Sequence, residues 1–230
     1  MDMTLPKIIS VDDHVVEPPD LWQKRLPRKF RDRGPKVIRR VGRVHFHDGK
    51  HHFLEDDDPA NRPADIWIYE DLFRPMTLGY AYAGHEGKDA ELPMTYDEMH
   101  PGCYDPAARL KVMDENHTDA QLNYPTVSRF CGQTFLEAKD KEVAAACIRV
   151  YNDWMIDEWC GGDRRGRNIP ITIVPLWDPE AAAAEVRRCA DKGSHAIAFS
   201  EGPTALGLPS IHSGHWDVLF QACEETETVI

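Results

Sequence analysis

The sequence predicts an α/β fold with parallel strands, and three observations carry that prediction. Short apolar runs that suit buried strands alternate with amphipathic runs at helical spacing. Each strand is followed by its own helix, an order that gives parallel strands joined by right-handed crossovers. The first strand, in IISVDDHVVEPPDLW (8–22), ends in two carboxylates and an imidazole rather than in bland turn residues. An open doubly wound sheet and a (β/α)8 TIM barrel both satisfy this order. No Gly-x-Gly-x-x-Gly or phosphate loop follows a strand, so the nucleotide-binding form of the open sheet has no support.

The first strand is expected over Ile8–Asp12, with Pro18 and Pro19 stopping regular structure beyond it. Residues 18 to about 105 then read as an excursion rich in Pro, Gly, Asp and His, with weak periodicity. Within it RVHFHDGKHHFLE (43–55) alternates around Asp48-Gly49, a favoured tight-turn dipeptide, so a small hairpin is expected there. From residue 105 the pattern is regular. Asp105 is placed to cap a helix with Pro106 in its first position and with Leu110 and Met113 on its apolar stripe. AQLNYPTV (120–127) reads as the second strand. Ala144, Cys147, Ile148, Tyr151 and Met155 recur at helical spacing and predict a helix over 140–159. IPITIVPL (169–176) is the third strand, mostly apolar on both faces, as in a sheet covered by helices. Asp178-Pro179 opens a helix that runs from Glu180 to Lys192 and stops at Gly193. AIAF (196–199) is the fourth strand, HWDVLFQACEE (215–225) the next helix, and Thr228-Val229-Ile230 a strand onset.

A (β/α)8 barrel needs about 250 residues before insertions. With so long an excursion, the 230 residues reach only the start of a fifth strand. The expectation is therefore the N-terminal part of one barrel domain over 1–230, incomplete, with about 20–105 inserted after the first strand. Such a piece is expected to be inactive alone and to aggregate through its open edge.

Composition narrows the function by exclusion. Lys and Arg number 27 against 39 Asp and Glu, a net charge of −12 that argues against nucleic acid and anionic membranes as partners. No run approaches the roughly 20 apolar residues of a spanning helix. Asp2, Asp12, Asp13, Glu17 and Asp20 leave no secretory signal to expect at the start. Six scattered cysteines without a Cys-x-x-Cys pair suit reduced thiols and a cytoplasmic protein. The expected partner is a small-molecule substrate, and a homo-oligomer stays open.

Residues two apart in a strand share a side. Asp12 and His14 are thus expected to project together from the C-terminal end of the first strand, with Asp13 opposite. In a parallel barrel that end carries the active site. A carboxylate and an imidazole there suit one divalent ion at about 2.0–2.2 Å, although a catalytic zinc takes three protein ligands. The same residues serve equally to cap or shape a turn. Glu201 in AFSEG follows the fourth strand on the same side, suited to hydrogen-bond substrate or a ligand histidine or else to cap a helix, and His212 and His215 in SIHSGHW suit substrate binding or a second metal, or else cap a helix or order a loop. His45, His47, His51 and His52 invite a second zinc site, but no cysteine or carboxylate completes a tetrahedron, so a solvated hairpin face is expected. Arg129 suits a substrate carboxylate or a surface ion pair. The rings of YNDWMIDEW recur at helical spacing, which is core packing, and Gly161-Gly162 is a helix stop.

Five stretches together resemble the amidohydrolase-2 family of metal-dependent hydrolases and of decarboxylases related to aminocarboxymuconate semialdehyde decarboxylase. They are SVDDHVVEPPDLW (10–22), YDPAARLKVMDENHTDAQLNYPTV (104–127), YNDWMIDEWC (151–160), IPITIVPLWDPEAAAAEVRRCADKG (169–193) and LPSIHSGHWDVLFQACEE (208–225). The resemblance implies a (β/α)8 barrel of the metal-dependent hydrolase type and one divalent metal, zinc most often and manganese in some members. Carried over, the ligand pair at the end of the first strand is Asp12 and His14. The resemblance implies further a histidine after the fifth strand and an aspartate after the eighth, both beyond Ile230. It implies hydrolysis of an ester, lactone or amide, or loss of a carboxylate as carbon dioxide. The competing reading is a non-enzymatic α/β binding module whose Asp-Asp-His only shapes a turn, or an inactive fragment of such an enzyme.

Overall fold

A computed structural model describes residues 6–48 and 50–230. Gly49, half of the expected turn dipeptide, lies outside the described residues. The chain opens with β1 (Ile8–Val15) and the short helix α1 (Leu21–Arg25). It then builds β2 (Lys36–His47), β3 (Lys50–Leu54), β4 (Arg62–Tyr69) and β5 (Leu72–Pro75). These four form one antiparallel sheet in the order β3-β2-β4-β5. The expected small hairpin is therefore only one edge of a larger sheet. The missed strands are β4 and β5; in β4 Ala64, Asp65, Ile66 and Trp67 are all buried, so no alternation marks it.

Asp65 is what makes that burial tolerable. Its carboxylate receives Nε and Nη2 of Arg39, each at 2.8 Å, and the backbone N–H of Tyr96 at 2.8 Å. The fork geometry is the strong form of an ion pair. These bonds, with a further one to Asp97, hold the Arg39 pKa above its ordinary value. Asp65→Ala is expected to lower stability by about 2 kcal/mol, because the Tyr96 N–H loses its buried acceptor while half-exposed Arg39 turns to water. A urea titration checks this.

After the excursion come α2 (Pro106–Glu115), β6 (Thr118–Pro125), α3 (Gln133–Leu136) and α4 (Lys141–Trp154). Then follow β7 (Asn168–Ile169), β8 (Thr172–Ile173), α5 (Pro179–Asp191), β9 (Ile197–Ala198) and α6 (Asp217–Glu225). Asp105 accepts the N–H of Ala108 at 2.7 Å and Asp178 that of Ala181 at 3.1 Å, the caps expected of them. Gly193 follows α5 at φ 90°, a left-handed stop. α4 is carried on by one π-turn, Met155–Trp159, before Gly161.

β1 pairs in parallel with β6, and β6 with β7; β8 pairs in parallel with β9, and Ala196 bridges in parallel to Val229. This is the neighbour order of successive barrel strands. The described residues form an open arc and no closed barrel. The expected third strand, 169–176, is shorter and split: Pro170, without an N–H, parts β7 from β8. β1 has no partner along its other edge among the described residues, and Ile9 and Val11 are 64% and 66% exposed there.

The core joins excursion and arc. Trp22 meets Trp67 edge-on at 5.3 Å and Phe135 at 5.8 Å, and its indole N–H donates to the Cys147 carbonyl of α4 at 3.0 Å. Tyr151, Trp154 and Trp159 are buried, which is the packing role their spacing predicts.

Candidate functional site

The end of β1 is irregular in a way that matters. Ser10 lies across from Gln121 and Asp13 from Asn123, so Val11 and Asp12 together oppose the single residue Leu122. This is a β-bulge, a feature that re-aims side chains at strand ends. Beyond it Asp13, His14 and Val15 stand across from Asn123, Tyr124 and Pro125.

The two sides of the strand differ in chemistry. Asn123 is fully buried and its Oδ1 accepts the indole N–H of Trp159 at 2.9 Å, so the Asp13–Asn123 side faces the helices. His14 takes the other side, its ring 6.2 Å from that of Tyr124. Tyr124 in turn stacks on Phe130 at 4.4 Å, 18° from parallel. Asp12, in the bulge, and His14 are both exposed.

Arg109 of α2 straps this end of β1. Its Nη2 donates to the His14 carbonyl at 2.9 Å, Nη1 to the Gly102 carbonyl at 3.2 Å and Nε to Gln121 Oε1 at 3.2 Å. Burial pushes its pKa down, and the nearby Asp13 carboxylate opposes that shift.

A second clamp, missed from sequence, is Glu17. It is fully buried and accepts the backbone N–H groups of Thr126 (3.2 Å), Val127 (2.8 Å) and Ser128 (2.9 Å), and the Ser128 hydroxyl at 2.9 Å. Burial pushes the Glu17 pKa up while those donors pull it down. The one sequence signal for it is a carboxylate between Val15-Val16 and Pro18-Pro19.

The loop after β6 that Glu17 holds leads into a groove of about 590 Å³, lined by Tyr124, Phe130, Phe199, Ser200 and Glu201 among others. Glu201 is thus brought beside the Tyr124–Phe130 stack. His212 and His215 are not in that lining. Both are exposed in the loop before α6, where the hydroxyls of Ser210 and Ser213 accept their backbone N–H groups at 3.3 and 3.4 Å. The His215 ring sits edge-on to Trp216 at 4.8 Å. Arg129 makes an ion pair with Glu137 at 2.5 Å, the surface alternative of its two readings.

On the excursion ribbon His45 stands across from His52, with His47 stacked beside it at 6.4 Å between ring centroids. Among the described residues no group of three or more His, Cys, Asp and Glu is arranged to hold a metal ion. Asp12 and His14 nevertheless fit such an ion in kind: an accessible carboxylate and an accessible imidazole, two donors of the three or more a catalytic ion takes. The six cysteines are all free, and burial holds Cys131 up at about 11 and Cys189 at about 12, which leaves those thiols protonated and inert. No helix among the described residues is long and apolar enough to cross a membrane.

Comparison with known proteins gives a consistent picture. The sequence profile of the family described as Amidohydrolase matches residues 43–230. An amidohydrolase of Mycobacterium avium subsp. paratuberculosis K-10 has a crystal structure that superposes with a TM-score of 0.64 at 23% identity, over 97% of this chain and 58% of that one. A 2,6-dihydroxybenzoate decarboxylase from Rhizobium superposes with a TM-score of 0.47 at 14% identity, over 97% of this chain and 48% of that one. No curated protein matches. The chain spans about half the length of these solved structures, and the likeness to the first of them concerns the fold alone.

Proposed function

The chain belongs to the amidohydrolase family, and from that premise we propose that the protein is a metal-dependent hydrolase or decarboxylase. Its substrate is a small carboxylic, lactone, ester or amide compound, and its metal is one divalent ion, zinc ahead of manganese. The supporting observation is Asp12 in a bulge and His14 two residues on, both exposed at the C-terminal end of β1. The family resemblance implies two further donors, a histidine after the fifth strand and an aspartate after the eighth, to add to this pair.

When bound, the ion supplies an activated water and polarises the substrate carbonyl. The chain's own residues prepare the setting. Arg109 fixes the backbone of His14, and Glu17 fixes the loop that carries Phe130. The Tyr124–Phe130 stack offers an apolar wall for the substrate. Glu201 offers an acceptor for a substrate hydroxyl or a ligand N–H from the same groove. Nucleic acid is set aside as a partner by the net charge of −12, and free cysteines suit the cytoplasm.

Metal analysis of the complete protein, in which the further donors are present, and of Asp12→Ala and His14→Ala made in it tests this. Near-stoichiometric zinc or manganese is expected in the parent, falling at least about tenfold in occupancy in each variant. An active preparation without a divalent ion, or full metal content in both variants, refutes the proposal and leaves an α/β binding module.

A further inference from the structure

We infer that Asn123 is a positioning residue for the Asp12–His14 pair, its side-chain N–H donating to Asp13 Oδ2 to close a ring of hydrogen bonds behind the end of β1. The positioning role rests on the metal reading above; the hydrogen bond does not.

The ring is nearly complete as it stands. It starts at Arg109, whose Nε donates to Gln121 Oε1 at 3.2 Å. Gln121 Nε2 donates to Asn168 Oδ1 at 3.0 Å, and Asn168 Nδ2 to the Trp159 carbonyl at 3.1 Å. The Trp159 indole N–H donates to Asn123 Oδ1 at 2.9 Å. An indole N–H only donates, so it fixes which end of the Asn123 amide faces it, and the partners of Gln121 and Asn168 fix theirs in the same way.

That leaves one donor and one acceptor. Asn123 Nδ2 is buried without a partner, and so is Asp13 Oδ2. Buried orphans of this kind are uncommon, and each calls for an explanation. These two belong to residues directly across from one another in the β1–β6 register, on the same side of the sheet. One lacks an acceptor and the other lacks a donor, so pairing them satisfies both. The ring then attaches to β1 twice, at Asp13 through Asn123 and at the His14 carbonyl through Arg109. Both attachments lie on or beside the peptide units that carry Asp12 and His14, and they hold the bulge from behind. Groups that orient metal ligands in this way typically change metal affinity about 10- to 100-fold when removed.

The test uses side-chain amide NMR on this chain and zinc affinity measured on the complete protein. In the 15N-labelled protein the Asn123 amide protons are expected to exchange slowly and to shift when Asp13→Ala removes the acceptor. Asn123→Asp keeps an acceptor for Trp159 and replaces the donor; it is expected to weaken zinc binding about tenfold. Combining it with Asp13→Asn restores a donor–acceptor pair and is expected to recover most of that loss. A fast-exchanging amide, or one insensitive to Asp13→Ala, overturns the hydrogen bond. Unchanged zinc affinity in Asn123→Asp, or a loss the combined variant does not recover, overturns the positioning role. If Asp12→Ala leaves zinc binding intact while the amide behaves as expected, the metal reading fails and the hydrogen bond stands.

Discussion

Glu17→Ala is expected to leave little folded protein. The carboxylate is fully buried and serves three backbone N–H groups and one hydroxyl of the loop after β6. Alanine leaves those donors facing a void in place of their carboxylate. Breaking a buried charged constellation from one side costs about 3–5 kcal/mol, against a total stability of roughly 5–15 kcal/mol for a domain. Glu17→Gln is no remedy, because one amide oxygen cannot serve four donors and its NH2 group meets donors instead of acceptors. Tryptophan fluorescence in urea is the measurement. A variant whose midpoint matches the parent would show that the loop is held by something else.

Gly161→Ala is the second large effect. A Cβ on Gly161 would lie 1.9 Å from the carbonyl oxygen of Asp157, which is main chain and cannot swing aside. Relief requires unwinding the π-turn that ends α4, where the Cys160 N–H reaches the Met155 carbonyl at 3.0 Å. Trp159 sits in that turn, so its hydrogen bond to Asn123 is disturbed as well. The expected loss is about 3 kcal/mol, the upper range for forcing atoms into a packed site. Gly162→Ala is the control: its Cβ meets nothing nearer than 3.9 Å, and only its φ of 66° opposes the change. About 1–2 kcal/mol is expected there. Near-UV circular dichroism and urea midpoints separate the two, and equal losses would contradict the steric account.

The elements that are legible in the sequence are those whose signals are local. Asp105-Pro106, Asp178-Pro179 and Gly193 mark helix ends through bonds to atoms a few residues away, and the structure realises them. The Asp12-x-His14 pattern is a local signal too. The bulge is not, since it exists only against Leu122 of the neighbouring strand. β4 hides because Asp65 is neutralised by Arg39, 26 residues away, and by the Tyr96 main chain 31 residues away. Glu17 hides for the same reason, with partners 109 to 111 residues downstream. His212 and His215 have suitable chemistry in a suitable place along the chain. What turns them from the groove lining is a serine-stabilised loop and the edge of Trp216, which no spacing rule conveys.

The separation of β1 from its partner has a consequence for synthesis. The Glu17–Val127 bond spans 110 residues, which a ribosome takes roughly 5–20 s to add at about 5–20 residues per second. During that interval the nascent β1, with Ile9 and Val11 bare, waits without a neighbour, while the antiparallel excursion emerges and is free to fold on nearby contacts. Translation speed through residues 20–125 therefore sets how long an adhesive strand stands alone, and slowing it should raise the demand for chaperones.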